Sequence, residues 1–590
     1  MVISPRQRLD PIKLDVVRNR LMSIGDEMSA ALQRAAYSTN IKTRLDFSCA
    51  FFDRDLQLIT QAFGQPAHLG SLPHSVPRII AEYGLENLNP GDALVYNDPH
   101  RGSVHLNDVA LLSPLYFDGA LAGFVANVAH HVDVGGSAPG SLAVTTEIFQ
   151  EGLIIPPVKL VDRGEIDGDI MRFIMTNTRL PVESAGDFRA QIAANTLAQQ
   201  RIAALIEKLG LDAFGAYCGE LIEYAERRTR ADLSRLPAGV YRAEDFLDND
   251  GVSPEPVRVA VAITVDAEGV TVDLTGSAEQ RRAPLNASFS QTYSAVAYSL
   301  RTQVDADIPI NQGFYRAFRL IAPEGTIVNA RHPAAVAAGW EVSFRVAEAM
   351  FRALAQAAPE RVVAGTKGCI CNIAFGGPHP NGYYAYYETL AGGGGARATK
   401  DGMDAIQTHI HNTENAPVEE VEQAYPFRIR QMSLIPDSEG AGRTRGGLGV
   451  RRDYWFPDHA VRFSILSDRA RFAPWGLFGG QAARLAHYVR DPEGQAELLN
   501  SKVSVELQPG EILSVQTPGG GGYGPPLERD PHAVLQDVTL GKVTAERARD
   551  VYGVVLASSG KEVDHKATEA LRGARTNGTL TAEPPEAAGP

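Results

Sequence analysis

Apolar residues recur at helical spacing near the start of the chain, at Leu14, Val17, Leu21, Ile24 and Met28 of "DPIKLDVVRNRLMSIGDEMSAALQRAAYS". One long amphipathic helix is predicted there, capped by Asp10 and entered through Pro11. The period then shortens. "DFSCAFFDRDLQLITQ" reads as two short strands around a polar turn at residues 53–55, "GDALVYNDP" as a third strand, and "GALAGFVANVAHHVDV" as a hairpin arm. Residues 190–235 return to helical spacing in "TLAQQRIAALIEKL" and "GAYCGELIEYAERRTRADL".

From Gly239 the texture changes. "VRVAVAITVDAEGVTVDLTGS" alternates strictly and predicts an antiparallel hairpin turning at Glu268 and Gly269. A helix is expected over residues 341–357. Residues 360–525 are rich in short strands and glycine, including "GGGGA", "RGGLG", "LFGG" and "TPGGGGYG". A helix over residues 545–551 leads into "GARTNGTLTAEPPEAAGP", too poor in apolar residues to pack and therefore expected to be disordered. The expected class is α+β, a mixed multi-domain chain with an N-terminal α/β region and a glycine-rich, mainly antiparallel β region later. Texture changes suggest boundaries at 1–236, 237–360, 361–530 and 531–590. No repeat of solenoid or propeller period is present.

Composition narrows the functional classes. The chain has 590 residues, 44% hydrophobic and 21% charged, a globular balance with sizeable cores. Its formal net charge is −14 and no long basic run occurs, which argues against nucleic acid as a partner. No apolar stretch approaches the ~20 residues that span a bilayer. The opening "MVISPRQRLDPIKLD" has no apolar signal core, so a cytoplasmic location is expected. The four cysteines, Cys49, Cys218, Cys369 and Cys371, suit a reducing compartment, and the C-x-C pair lacks a second pair to complete a zinc knuckle.

Two polar knots carry the candidate chemistry: "NDPHRGSVHLNDV" at residues 97–109 and "NVAHHVDVGG" at 127–136. His105 and Asp108, three residues apart beside a turn, fall on one side of the backbone. His130 closes a later strand that can return it to the same sheet edge. Imidazole nitrogen with carboxylate oxygen suits Zn²⁺, Mn²⁺ or Fe²⁺, although a His–Asp pair can equally be a plain hydrogen bond. Asp46, opening the strand "DFSCAFF", is a fourth candidate ligand or a simple cap. His68, His74, His100 and His131 are candidate neighbours of such a centre or packing histidines. Asp133 is placed to orient a ligating histidine from behind. Arg44 is either an anchor for a carboxylate or phosphate, or a surface charge.

Together "NDPHRGSVHLNDV", "HHVDVGG", "FQEGLIIPPVKL", "RGGLGV" and "TPGGGGYG" resemble the hydantoinase B family, over about Pro11 to Pro526. That family includes B subunits of ATP-dependent hydantoinases and caprolactamase, the C-terminal half of 5-oxoprolinase, and a subunit of acetone and acetophenone carboxylases. The resemblance implies one divalent metal ion (Mn, Zn or Fe) held by Asp46, His105, Asp108 and His130. It also implies a separate A-type ATPase partner, in an (AB)₂ assembly, that binds ATP and magnesium and phosphorylates a carbonyl oxygen of a small cyclic amide. This chain has no G-x-x-x-x-G-K-[ST] loop, in keeping with that division. Its "TPGGGGYG" run is either an anion cradle or a tight turn.

The expected function is therefore the metal-containing B subunit of an ATP-dependent cyclic-amide hydrolase. His131, Asp133 and Glu151 are candidate catalytic groups for proton transfer. Glu147 is a further candidate, and both glutamates can also be read as surface carboxylates. The alternatives are a subunit of an acetone-type carboxylase, a non-catalytic scaffold subunit, and a metallohydrolase that needs no ATP.

Overall fold

A computed structural model describes residues 9–62, 64–379 and 382–576 of the chain. Asp10 accepts the Ile12 N–H at 2.9 Å and starts the helix Pro11–Ala35, whose buried stripe is Val17, Leu21, Ile24, Met28 and Leu32. The helix stops short of the predicted "YS". Ala36 turns extended, and Ser38 caps a separate single turn, Thr39–Lys42, which delivers the chain to Asp46.

The strands β1 (Phe47–Asp53), β2 (Leu58–Gln61), β3 (Ala93–Tyr96), β4 (Asp108–Phe117), β5 (Ala120–His130), β6 (Val158–Asp162) and β7 (Glu165–Ile166) form one sheet. Their order is β2-β1-β5-β4-β3-β6-β7, antiparallel throughout. Alternation sorts β1 cleanly. Phe47, Cys49 and Phe51 pack with the helices Pro11–Ala35, Pro181–Leu209 and Leu211–Leu233, while Ala50 and Phe52 join the core on the opposite face. The two long helices match the helical spacing of residues 190–235, with the first beginning nearer Pro181.

The Val257–Asp266 and Gly269–Asp273 hairpin forms as expected, flanked by Gly239–Leu247 and, in the one parallel strand pairing of the described sheets, by Phe318–Ile321. The helix expected at 341–357 runs from Gly339 to Leu354 and is buried on nearly every side. A helix of this kind belongs at the centre of a protein.

Beyond it, one four-stranded and one five-stranded sheet share a core that includes Phe375, Phe463, Phe427, Tyr454 and Phe456. The short helix Ala545–Asp550 matches its expected place. Several corrections apply. The helix Ser71–Tyr83, with Pro77 inside it, was not predicted, nor was the short helix Val418–Ala424. The expected disordered tail begins too early, because Gly573 to Thr576 continue the helix His565–Thr576; residues 577–590 lie outside the described residues.

The "TPGGGGYG" run forms neither a tight turn nor an anion cradle. The N–H groups of Gly520, Gly521 and Gly522 donate to Gly447 O, Gly365 O and Gln481 O at 2.9, 2.7 and 3.0 Å. A Cβ on Gly520 would lie 1.9 Å from Gly394 O, and one on Gly447 would lie 1.9 Å from Met403 O. Distant runs thus interlock backbone against backbone, and only glycine fits.

Candidate metal centre

Strand pairing joins the two polar knots. Asp108 opens β4, His130 ends β5, and they are direct register partners across the hairpin. On the other side of β5 the His130 N–H donates to Asp46 O at 3.0 Å, so the start of β1 reaches the same edge. His105 stands one turn before Asp108, whose N–H donates to His105 O at 3.0 Å.

His105, Asp108 and His130 are all buried, and each offers a ligand atom within 4.8 Å of the others. The contacts are too long for hydrogen bonds: His105 Nδ1 to Asp108 Oδ2 is 3.5 Å and His130 Nδ1 to Asp108 Oδ1 is 3.4 Å. Both Asp108 oxygens, His105 Nδ1 and His130 Nε2 have no hydrogen-bond partner and no solvent. Four orphaned donor atoms in one buried place are costly unless something fills the gap, and a divalent cation is the group this donor set fits. Burial raises the Asp108 pKa, but His105, His130 and His68 outweigh it and hold the carboxyl well below its usual range. Burial, partly offset by Asp108, pushes His105 down to about 4, so its imidazole is neutral and its lone pair available.

Asp46, Asp108 and His130 line a cavity of about 10 Å³ together with Gln65, His68, Trp340, Ile370, Tyr387 and His411. That is room for about one water. Asp46 lies outside the tightest cluster of three. Its Oδ1 accepts from Gln65 Nε2 at 3.1 Å, and Gln65 is turned that way because its Oε1 accepts the Asn412 N–H at 3.1 Å. His68 Nε2 lies 3.6 Å from Asp108 Oδ1. Tyr387 stacks on His130, and Trp340 meets the His105 ring edge-on. Burial holds His411 well below its ordinary pKa, and its ring nitrogens lie 3.1 Å from Thr413 Oγ1.

The remaining candidates lie off this cavity. His131, the next residue after His130, faces the other side of the sheet, where its Nε2 sits 3.0 Å from Gln191 Oε1. Asp133 accepts the N–H groups of Gly135, Gly140 and Arg179 and a 3.0 Å contact from the Arg179 guanidinium, which ties down the loop after His131. Glu151 is buried and accepts from Val336 N, Ala337 N and Thr145 Oγ1, and burial pushes it up to about 7. Glu147 is exposed. His74 packs against Phe289 with the rings tilted, and His100 Nε2 sits 3.0 Å from Ala334 O. All four cysteines are buried free thiols.

Arg44 is neither an open anchor nor a surface charge. It is fully buried and donates to Asn40 Oδ1, Tyr387 O, Thr389 Oγ1 and Glu414 O, riveting the Asp46 turn to the strand Gly382–Thr389. Sequence reasoning missed Gln65, Trp340, Ile370, Tyr387 and His411. The alternation of "THIHN" around His411 is the one local signal, and it does not say where that strand-like segment packs.

The family model described as hydantoinase B/oxoprolinase matches residues 10–526. A protein of Pseudomonas sp. strain NS671, named as the B component of a D-/L-hydantoinase, is 35% identical over 96% of this chain and 98% of its own. The crystal structure of an ATP-dependent caprolactamase from Pseudomonas jessenii superposes with a TM-score of 0.88 at 30% identity, covering 96% of this chain and 100% of that one. A nucleotide-free acetone carboxylase shares the fold, with a TM-score of 0.89 at 22% identity over 98% of this chain and 84% of its own. The chain therefore belongs to the hydantoinase B/oxoprolinase family.

Proposed function

We propose that the chain is the metal-carrying B-type subunit of an ATP-dependent cyclic-amide hydrolase. The observation that carries this is the set of orphaned donor atoms on Asp108, His105 and His130 beside Asp46. These four residues would hold one divalent ion, Mn, Zn or Fe. When bound, such an ion supplies Lewis acidity toward a carbonyl and lowers the pKa of a water.

The protein's own residues prepare the place. Gln65 orients Asp46, Tyr387 fixes the plane of His130, and Trp340, Ile370 and Tyr387 keep bulk water out. An unstrained amide is a poor electrophile, so phosphorylation of its carbonyl oxygen by an A-type ATPase partner would make the ring carbon open to attack. An (AB)₂ assembly in the cytoplasm is the arrangement we propose, and the naming of the hydantoinase relative as a B component supports a partner. No helix among the described residues is long and apolar enough to cross a membrane. His131, Asp133 and Glu151 would act on the reaction through the loops and strands they hold, since none lines the cavity.

The test is metal content by mass spectrometry on wild type and His105→Ala, each purified with the ATPase partner. About one metal per chain is expected in the wild type. It should be lost in the variant together with ATP-dependent opening of a hydantoin or lactam. A metal-free wild type that stays active would refute the assignment. The shared fold with acetone carboxylase favours a second reading, carboxylation of a ketone. Incorporation of labelled bicarbonate in the same preparation distinguishes the two.

A further inference from the structure

Ser48 decides which nitrogen of His68 carries the proton. Its hydroxyl oxygen accepts the Gln65 backbone N–H at 3.1 Å, and His68 Nδ1 lies 3.1 Å from the same oxygen. Among the described residues no other acceptor meets the Ser48 hydroxyl hydrogen, so that hydrogen goes to His68 Nδ1. A proton on Nδ1 would instead strand the hydroxyl hydrogen of a residue with no exposed surface. The imidazole proton therefore sits on Nε2. That atom faces the cavity, 3.6 Å from Asp108 Oδ1 and beyond hydrogen-bond range.

The rest of His68 is pinned. Its N–H donates to Gln65 O at 2.9 Å, and its carbonyl accepts from Ser71 Oγ at 2.9 Å and from Gln61 Nε2 at 3.3 Å. The ring cannot turn over without breaking the Ser48 contact. His105 and His130 differ in that no such hydroxyl fixes the proton, His105 Nδ1 and His130 Nε2 being buried without a hydrogen-bond partner. A ligating nitrogen must present a lone pair, and a protonated Nε2 has none to offer.

We propose that His68 is a catalytic hydrogen-bond donor and not a ligand of the centre. Its Nε2–H is aimed at the phosphorylated oxygen of the activated amide, where negative charge develops as phosphate departs. This rests on the cyclic-amide reading above. His68 keeps its proton throughout, and no bond to it forms or breaks. A donor already fixed in place stabilises the developing charge without rearranging.

The tautomer is measured first, in metal-free protein carrying ¹⁵N-histidine, by long-range ¹H–¹⁵N correlation. The His68 signal is identified by its loss in His68→Gln. The Nε2-protonated pattern is expected, and an Nδ1-protonated ring overturns the proposal. In metal-loaded protein assayed with the ATPase partner, His68→Leu should bind metal as tightly as wild type in a chelator competition. Its kcat should fall about 10²–10³-fold with little change in KM. His68→Gln, whose amide still donates, should recover part of the loss.

Metal loss in His68→Leu comparable to His105→Ala would make His68 a ligand and sink the idea. So would an undiminished kcat. If His68→Leu fails to fold, Ser48→Ala takes its place: it should shift the ring toward Nδ1–H and lower kcat at unchanged metal content. An unmoved tautomer there overturns the lock. Absence of metal from active wild type would count against the proposed function instead, and the tautomer measured without metal tells the two failures apart.

Discussion

Tyr387 lies nearly flat against His130, with ring centroids 4.4 Å apart and planes 17° from parallel. Its hydroxyl donates to Asn372 Oδ1 at 2.7 Å, so the ring that sets the imidazole plane is itself anchored. Tyr387→Phe keeps the stack but orphans the Asn372 oxygen. It should cost about 1–3 kcal/mol of stability and leave metal affinity nearly unchanged. Tyr387→Ala removes the stack, with an expected loss of about 3–5 kcal/mol and about tenfold weaker metal binding. Urea denaturation and chelator competition read the two effects separately.

Arg44 presents a different dependence. Its guanidinium stands 5.0 Å from the Tyr387 ring centre and bonds carbonyl and hydroxyl oxygens. A lysine cannot reproduce a planar fork of donors. Arg44→Lys should therefore destabilise the chain by about 2–4 kcal/mol and loosen the Asp46 turn. Because Arg44 is wholly buried, the substrate KM of the surviving folded fraction should not rise. A large KM increase at full stability would restore the anchoring role.

Glu341 makes stability depend on pH. Its Oε1 accepts from Ile370 N and Cys371 N at 3.0 and 3.2 Å, while Oε2 is buried without a partner. Burial, reinforced by Asp468, pushes its pKa from 4.5 up to about 8. The folded chain thus holds a proton that the unfolded chain gives up. The contribution is complete below about pH 4.5 and is lost as pH rises through about 8. Glu341→Gln should be close to neutral at pH 4.5 and increasingly stabilising toward pH 8, by up to a few kcal/mol. The difference in Tm between variant and wild type across that range is the measurement, and a flat difference would contradict it.

Two glycines should respond in opposite ways. Gly520→Ala drives a Cβ to 1.9 Å from Gly394 O, a backbone atom that cannot step aside. Loss of the folded state, or a penalty above about 3 kcal/mol, is expected. Gly215 lies in the helix Leu211–Leu233 with nothing within 4 Å of an added Cβ. Gly215→Ala should raise stability by about 0.5–1 kcal/mol. Chemical denaturation of both variants checks the pair.

The parts of the centre that were legible are local. Asp108 and His130 bound the two arms of one hairpin, and the alternating pattern that makes the arms also decides their register. His105 belongs to the turn that starts the hairpin. His68 was named among the histidines, but its surroundings were hidden because the prolines of "SLPHSVPRIIAEY" mask the helix that follows it. His131 follows His130 directly, and adjacency in a strand puts neighbouring side chains on opposite faces.

What the sequence by itself determined is whatever depends on neighbours a few positions away: the capped first helix, several of the strands, the hairpin over 257–273, the α+β class and the candidate ligand types on one sheet edge. Tertiary structure alone decided the rest. Trp340, Tyr387 and His411 reach the cavity from segments more than two hundred residues beyond Asp108, and no periodicity encodes that approach. Arg44 reads as a surface charge until folding supplies the four oxygens that let a guanidinium be buried. The "TPGGGGYG" run reads as an anion cradle or a tight turn because a sequence shows the missing side chain, while only packing shows the backbone that occupies its place.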